Sequence, residues 1–328
     1  MSGVSSPQRI LVIKLGALGD FVQALGPFVA IRAHHDALDP TGRAEITLLT
    51  TPPFRDLAAR TGYFDTIWTD GRAKGFSPLL ALVRRMSWAR FTRVYDLQTS
   101  SRSSLYFHLL WPRTEWSGIA RGCSHPHRNP ARDVMHTVER QAEQLAHAGI
   151  AATPLADVIP LAGDTPARAL LGTDAAFGLL VPGAAPTRPA KRWPVENFIA
   201  VARDWLRDDI VPVVLGASAE ADIGAAIARA VPGARDLTGR TSLSDIVTLA
   251  GAADRAVGND TGPMHLIALA GTPCVTLFGG ESDPALCAPR GPNAGMLAAR
   301  DIRTHSPEDV ADALADVRRR APGKPEKT

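Results

Sequence analysis

The chain has 328 residues, 45% apolar and 21% charged, the balance of a globular protein with room for two domains of ordinary size. A net charge of +3 is too small to argue for nucleic acid. Three cysteines without a CxxC spacing argue against a disulfide framework or a zinc site and fit a reducing cytoplasm. No apolar run reaches about 18 residues, so no membrane span is expected. Residues 1–8 form a small polar lead-in with no apolar signal core.

Residues 9–15, Arg-Ile-Leu-Val-Ile-Lys-Leu, are apolar on both faces, as a central parallel strand should be. Gly16-Ala-Leu-Gly19-Asp20 is the turn after it, and a helix is predicted over 21–33. Its glycines let the backbone pass close to a ligand, but Gly16-x-x-Gly19 lacks the three-glycine spacing of a dinucleotide fingerprint. Asp20 suits the N-cap of that helix. Further strands are expected at 44–49, 67–68 and 93–97. Helices are expected after Thr51-Pro-Pro, from 77 within the basic span 72–90, and from near 103. This alternation predicts a doubly wound parallel sheet, whose ligands bind at the carboxyl ends of strands. Asp20, Gln98, Ser100 and Arg102 all follow strands and so share that edge.

Residues 116–132 are the least regular stretch. They hold Arg121, His125, His127, Arg128 and Arg132, with no acid until Asp133. The stretch reads as a solvated basic loop or as a seat for an anion. His125-x-His127 has no further ligand at metal spacing. A helix follows from His136 to Gly149, and residues 151–166, rich in Ala, Pro and Gly, approach a linker.

A second α/β unit starts at Phe177-Gly-Leu-Leu-Val-Pro-Gly. Its Lys191-Arg192-Trp193-Pro194 run precedes a helix over 197–206. That run is either a cationic seat for an anion or a surface pair anchored by Trp193. A strand over 210–215 ends in Gly216-Ala-Ser-Ala-Glu220, where a carboxylate suits ribose hydroxyls or simply a solvated first turn. Ser242-x-x-Asp245 makes a capping box. A compact βαβ unit closes the series: strand 255–258, turn Asn259-Asp260-Thr261-Gly262, a buried helix with Pro263 in its first turn, and strand 274–278. The helix N-terminus suits an anion. Asp260 and His265 are the only carboxylate and imidazole between Arg255 and Glu281. A last amphipathic helix covers 306–320, and 324–328 is a loose tail.

Three segments in order, Lys14-Leu-Gly-Ala-Leu-Gly19-Asp20, Pro182-Gly-Ala with Lys191-Arg192-Trp193-Pro194, and Asp260-Thr-Gly-x-x-His265 with its Gly-Thr-Pro and Val-Thr-Leu-Phe-Gly continuation, resemble the ADP-heptose:lipopolysaccharide heptosyltransferase family. Leu237-Thr-Gly239-Arg-Thr241-Ser242-Leu243 adds a fourth likeness. The resemblance implies an α/β protein of two Rossmann-like domains facing across a cleft. Residues 1–165 would bind the acceptor and 166–328 the nucleotide sugar, the last helix packing back on the first domain. It implies inverting transfer of a heptose or similar sugar from an ADP-sugar, with Asp20 as general base and Lys191 stabilising the leaving group. Gly16, Gly19, Thr187, Lys191, Arg192, Glu220, Thr241, Leu243, Asp260, Thr261, Gly262 and His265 would hold the donor. Gln98, Arg102, Arg121, His125 and Arg128 would hold an anionic glycolipid or glycan acceptor. No Asp-x-Asp occurs, so no metal is expected, and the resemblance implies no cofactor beyond the nucleotide-sugar co-substrate, ADP-heptose. The implied setting is a cytoplasmic monomer, with peripheral contact at the inner membrane and no nucleic-acid partner. The rival readings are a nucleotide-dependent oxidoreductase and a non-catalytic nucleotide-sugar-binding protein.

Overall fold

The computed structural model describes residues 8–38, 44–72, 74–185 and 187–320. The expected lead-in, Gln8 apart, and the expected tail lie outside the described residues. The chain divides into two units, Met1–Ala156 and Asp157–Thr328, so the division falls ahead of the boundary expected after residue 165.

In the first unit β1 (Arg9–Ile13), α1 (Leu18–Val22), α2 (Leu25–Leu38), β2 (Glu45–Leu49), α3 (Arg55–Thr61) and β3 (Thr66–Trp68) are followed by α4 (Phe76–Ala89), β4 (Arg93–Asp96), α5 (Ser101–Leu109), β5 (Glu115–Gly118), β6 (His125–Pro126) and α6 (Thr137–His147). The six strands pair in parallel in the order β3-β2-β1-β4-β5-β6. Ile10, Leu11, Val12 and Ile13 are fully buried, because a central parallel strand is covered on both faces. The single helix expected over 21–33 is broken into α1 and α2. The stretch expected to be least regular holds most of β5 and, beside it, the edge strand β6. Their brevity explains the miss: strands of four and two residues carry too little alternation to read.

The second unit runs α7 (Ala167–Leu171), β7 (Phe177–Val181), α8 (Val195–Arg207), β8 (Val211–Val214), α9 (Ala221–Ala230), β9 (Arg235–Asp236) and α10 (Leu243–Ala252), then β10 (Arg255–Asn259), α11 (Gly262–Leu269), β11 (Cys274–Phe278), α12 (Pro284–Cys287), β12 (Ala294–Ala298) and α13 (Pro307–Arg320). Its parallel sheet has the order β12-β11-β10-β7-β8-β9. Counted from β7, that is the same winding as in the first unit. In both, the strand order reverses between the first and fourth strands, β1/β4 and β7/β10. Such reversal points leave a crevice at the carboxyl ends of the two strands. α13, expected to pack back on the first domain, sets Val310, Leu314 and Val317 into the core of its own unit, beside Val275, Leu277 and Trp205.

Candidate functional site

Each unit gathers polar side chains at its reversal point. In the first, the chain leaves β1 through Lys14 and Leu15 into Gly16, whose φ is +93°; a Cβ there would meet the Phe54 ring at 2.4 Å. Glycine is therefore required on both counts. Asp20 is not an N-cap as expected. Ala17 caps α1, and Asp20 sits three residues on, its Oδ2 accepting from the Ala17 N–H at 3.2 Å. The Gln98 side chain ties the end of β4 to that of β1 by accepting from the Leu15 N–H at 2.8 Å.

Asp20 and Gln98 line a cavity of about 110 Å³ with Lys14, Thr99, Arg132, Arg140 and Gln144. Asp96, at the end of β4 just before the lining residues Leu97, Gln98 and Thr99, is fully buried, with Oδ1 accepting from the N–H groups of Gln98 (3.1 Å) and Thr99 (2.9 Å). The Arg132 guanidinium donates to Thr99 Oγ1 at 2.6 Å. The buried Lys14 ammonium donates to the Leu97 carbonyl at 3.0 Å. Burial lowers the Lys14 pKa to about 8, against the pull of Asp20. Burial likewise raises Asp96 to about 6, against its backbone hydrogen bonds. The cavity thus presents one carboxylate, Asp20, among three cationic side chains, an arrangement able to take up a proton and to hold an acid group beside it.

The other expected acceptor residues lie elsewhere. Arg102 is exposed on α5. Arg121 and Arg128 are exposed around β6, and His125 on β6 meets Ser124 Oγ at 3.0 Å. None of these lines the cavity. Lys14, Thr99, Arg132 and Arg140 do. Arg132 belongs to the basic stretch read as a solvated loop or an anion seat, and Lys14 to the first-loop motif, but none of the four is among the expected site residues. A lysine closing an apolar β1 was the available signal for Lys14; the helical position of Arg140 offered none.

In the second unit the strand-end turns are stitched together. The Asn259 amide donates to the Pro182 carbonyl at 2.7 Å and its Oδ1 accepts from the Trp193 N–H at 3.1 Å. The Trp193 indole is buried and donates to the His305 carbonyl at 2.9 Å. These bonds fix the residues just before Trp193. Lys191 Nζ lies 2.6 Å from Asp260 Oδ2, which also accepts from Ser282 Oγ at 2.6 Å. Arg192 donates to the Ala184 carbonyl at 2.8 Å. Glu220 packs over the glycine turns after β7 and β8: a Cβ on Gly183 would come within 2.3 Å of its carboxylate, and one on Gly216 within 3.0 Å. Thr261 caps α11, Gly262 opens it, and His265 is buried in it. Thr241 precedes α10, whose first residue is Leu243. Thr187 is exposed in the turn after β7.

Arg192 also lines a groove of about 770 Å³ with Gly280, Glu281, Arg300 and Arg303. Arg300 and Arg303 follow β12, a strand the sequence did not announce, and so went unnoticed. Among the described residues no three His, Cys, Asp or Glu side chains come together as a metal cage, and no helix is long and apolar enough to cross a membrane.

Residues 79–314 match the profile of glycosyltransferase family 9 (heptosyltransferase). The chain belongs to that family. Lipopolysaccharide heptosyltransferase 2 of Salmonella typhimurium is 32% identical over 99 residues, 29% of this chain and 28% of the relative. The chain therefore matches less than a third of that relative's length. Among solved structures, Escherichia coli ADP-heptose lipopolysaccharide heptosyltransferase II superposes with a TM-score of 0.75 at 22% identity, over 94% of this chain and 98% of that one. The E. coli heptosyltransferase WaaC with ADP superposes with a TM-score of 0.71 at 20% identity, over 94% and 100%. At such identities the likeness speaks for the fold, and it agrees with the two Rossmann-like windings of this family 9 chain.

Proposed function

We propose that this family 9 protein transfers a heptose from ADP-heptose to an anionic inner-core acceptor of lipopolysaccharide, with inversion at the anomeric carbon. The observation that carries the reading is that each reversal point presents a group the reaction needs. Asp20 stands among cations in one unit. The Lys191–Asp260 pair adjoins the open N-terminus of α11 in the other.

The acceptor hydroxyl gives its proton to the Asp20 carboxylate. Its oxygen forms a bond to the anomeric carbon from the face opposite ADP. The bond from that carbon to the β-phosphate oxygen breaks, and its electron pair leaves with ADP. Positive charge grows on the sugar as in glycoside hydrolysis. Lys191 and the amides at Thr261 and Gly262 offset the negative charge that builds on the diphosphate. Glu220, against the glycine turns, takes ribose hydroxyls, and Asp260 orients Lys191. Lys14, Arg132 and Arg140 hold an acid group of the acceptor beside the base. Arg102, Arg121, His125 and Arg128 contact its outer parts. On this reading the chain acts as a cytoplasmic monomer and its only co-substrate is the nucleotide sugar.

The test is ADP release from ADP-heptose in the presence of heptose-free inner-core glycolipid, beside thermal shifts with ADP-, UDP- and GDP-sugars. Turnover with the ADP-sugar and the largest shift with ADP-sugars are expected. A preference for UDP-sugars sinks the donor assignment, and ADP-heptose binding without turnover sinks the catalytic one.

A further inference from the structure

Every strongly exposed Phe or Trp among the described residues lies in one short span of the first unit. Phe76 is 78% exposed, Trp88 73% and Trp111 74%. Leu80, Leu105 and Leu109, 41–46% exposed, lie in the same span. Solitary exposed apolar residues need no explanation, but a cluster of this size marks a surface that meets something.

The geometry shows how the cluster is built. α4 buries Leu82, Val83 and Met86 in the core of its unit. Its outward face reads Leu80, Arg84, Trp88, spaced four apart and so stacked along one side of the helix. The Arg84 guanidinium lies over the Trp88 ring, 5.0 Å from its centroid. The Trp111 N–H donates to Ser87 Oγ at 3.4 Å, which sets the second tryptophan beside the last turn of α4. Leu105 and Leu109, four apart on one side of α5, are exposed shortly before Trp111 in the chain.

The charge around it has one sign. Between Asp70 and Glu115 the chain carries eight Lys and Arg residues and a single carboxylate, Asp96, which is fully buried. Lys74, Arg84, Arg90, Arg102 and Arg113 are all exposed. Amphipathic indole rings at the level of the headgroups, flanked by cations, are the chemistry of an interfacial helix on an anionic bilayer.

We propose that the outward face of α4 with Trp111 docks the protein on a phospholipid surface carrying anionic headgroups. This inference does not rest on the transfer reaction, and its test needs no acceptor. The full chain is sedimented with sucrose-loaded vesicles of phosphatidylcholine alone or with phosphatidylglycerol mixed in, at low and high salt. The protein is expected to pellet with the anionic vesicles, and less so as salt screens the charges. Trp88→Ser with Trp111→Ser should leave it in the supernatant. Lys74→Glu with Arg84→Glu should weaken partitioning roughly tenfold or more. Both variants alter exposed side chains, so their melting temperatures and their thermal shift with ADP should match wild type. Wild type that stays in the supernatant with anionic vesicles overturns the proposal, as does a tryptophan variant that pellets like wild type. A vesicle-free dimer that the tryptophan changes abolish, with no vesicle binding, overturns it in favour of pairing between copies.

Discussion

Lys191 Nζ and Asp260 Oδ2 stand 2.6 Å apart, with only 13% and 9% of their side chains exposed. The two residues come from the turns after β7 and β10, the strands between which the sheet order reverses. A surface lysine would sample many rotamers before a diphosphate arrived. This one is held by a counter-charge, and that counter-charge is itself held by Ser282. On the proposed reading, the arrangement sets a cation in place at the N-terminal end of α11 before the donor binds.

The pair should behave as a unit. Removing one partner of a buried ion pair leaves an uncompensated charge and costs about 3–5 kcal/mol. Lys191→Met and Asp260→Asn should each lower the urea midpoint markedly. The double variant should be less destabilised than the two losses added together, because no charge is stranded. Additive losses across the cycle would show that the pair is not energetically coupled.

The buried Asp96 gives a pH signature. Its folded-state pKa is raised from 3.8 to about 6, chiefly by burial. The folded state therefore holds this proton more tightly than the unfolded chain does. Its contribution, about 3 kcal/mol for a shift of this size, is complete below the unfolded pKa and lost as pH rises through about 6. Asp96→Asn keeps an oxygen for the Gln98 and Thr99 N–H groups but has no titration. The stability of the Asn variant relative to wild type should rise between pH 4 and pH 6. Lys14, lowered to about 8 from 10.5, acts in the opposite sense and at higher pH: wild-type stability gains as pH rises from 8 toward 10.5. Melting temperatures of both proteins across pH 4 to 7 check the first claim. Parallel curves would remove Asp96 as the titrating group.

Much of this architecture could be read before the fold was known. The strands at 10–13, 177–181 and 274–278 are buried on both faces and announce themselves as continuous apolar runs. The Lys191 to Trp193 run and the Asp260 turn stand out because charge sits next to strand ends. Less was legible where local pattern carries no trace of a distant partner. Nothing near Asp260 in sequence names Lys191 or Ser282. Arg132 and Arg140 reach the Asp20 cavity through tertiary placement alone, while the more conspicuous Arg121 and Arg128 remain outside it. Asp20 illustrates the limit of local chemistry: an Asp after a glycine turn reads as an N-cap, yet the cap is Ala17 and the carboxylate reaches back from the third helical position.

Chelation should leave the protein active. The sequence has no Asp-x-Asp, and the cations at the two reversal points are side chains: Lys14, Arg132 and Arg140 in one unit, Lys191 and Arg192 in the other. ADP release should be unchanged within error in EDTA. Loss of activity restored by Mg²⁺ or Mn²⁺ would contradict the view that fixed charges alone hold the diphosphate.

Asp20 allows the sharpest separation of structure from chemistry. Its Oδ2 accepts from the Ala17 N–H at 3.2 Å, so it supports the first turn of α1 as well as facing the cavity. Asp20→Asn keeps an acceptor oxygen for that N–H but cannot take a proton from an acceptor hydroxyl. Its melting temperature and its response to ADP should be close to wild type, while kcat should fall roughly 10²- to 10⁴-fold, the usual worth of a positioned acid–base group. Asp20→Ala should lose the rate by a similar factor and in addition about 1 kcal/mol of stability, the usual net worth of the hydrogen bond it gives up. If Asp20 served only to support the helix, the order would reverse: Asn would turn over like wild type, and Ala would show its defect first in the melt. Measuring kcat and melting temperature for both variants decides between the roles. A fully active Asn variant would move the search for the base away from this cavity, since Asp20 is the one carboxylate among its lining residues.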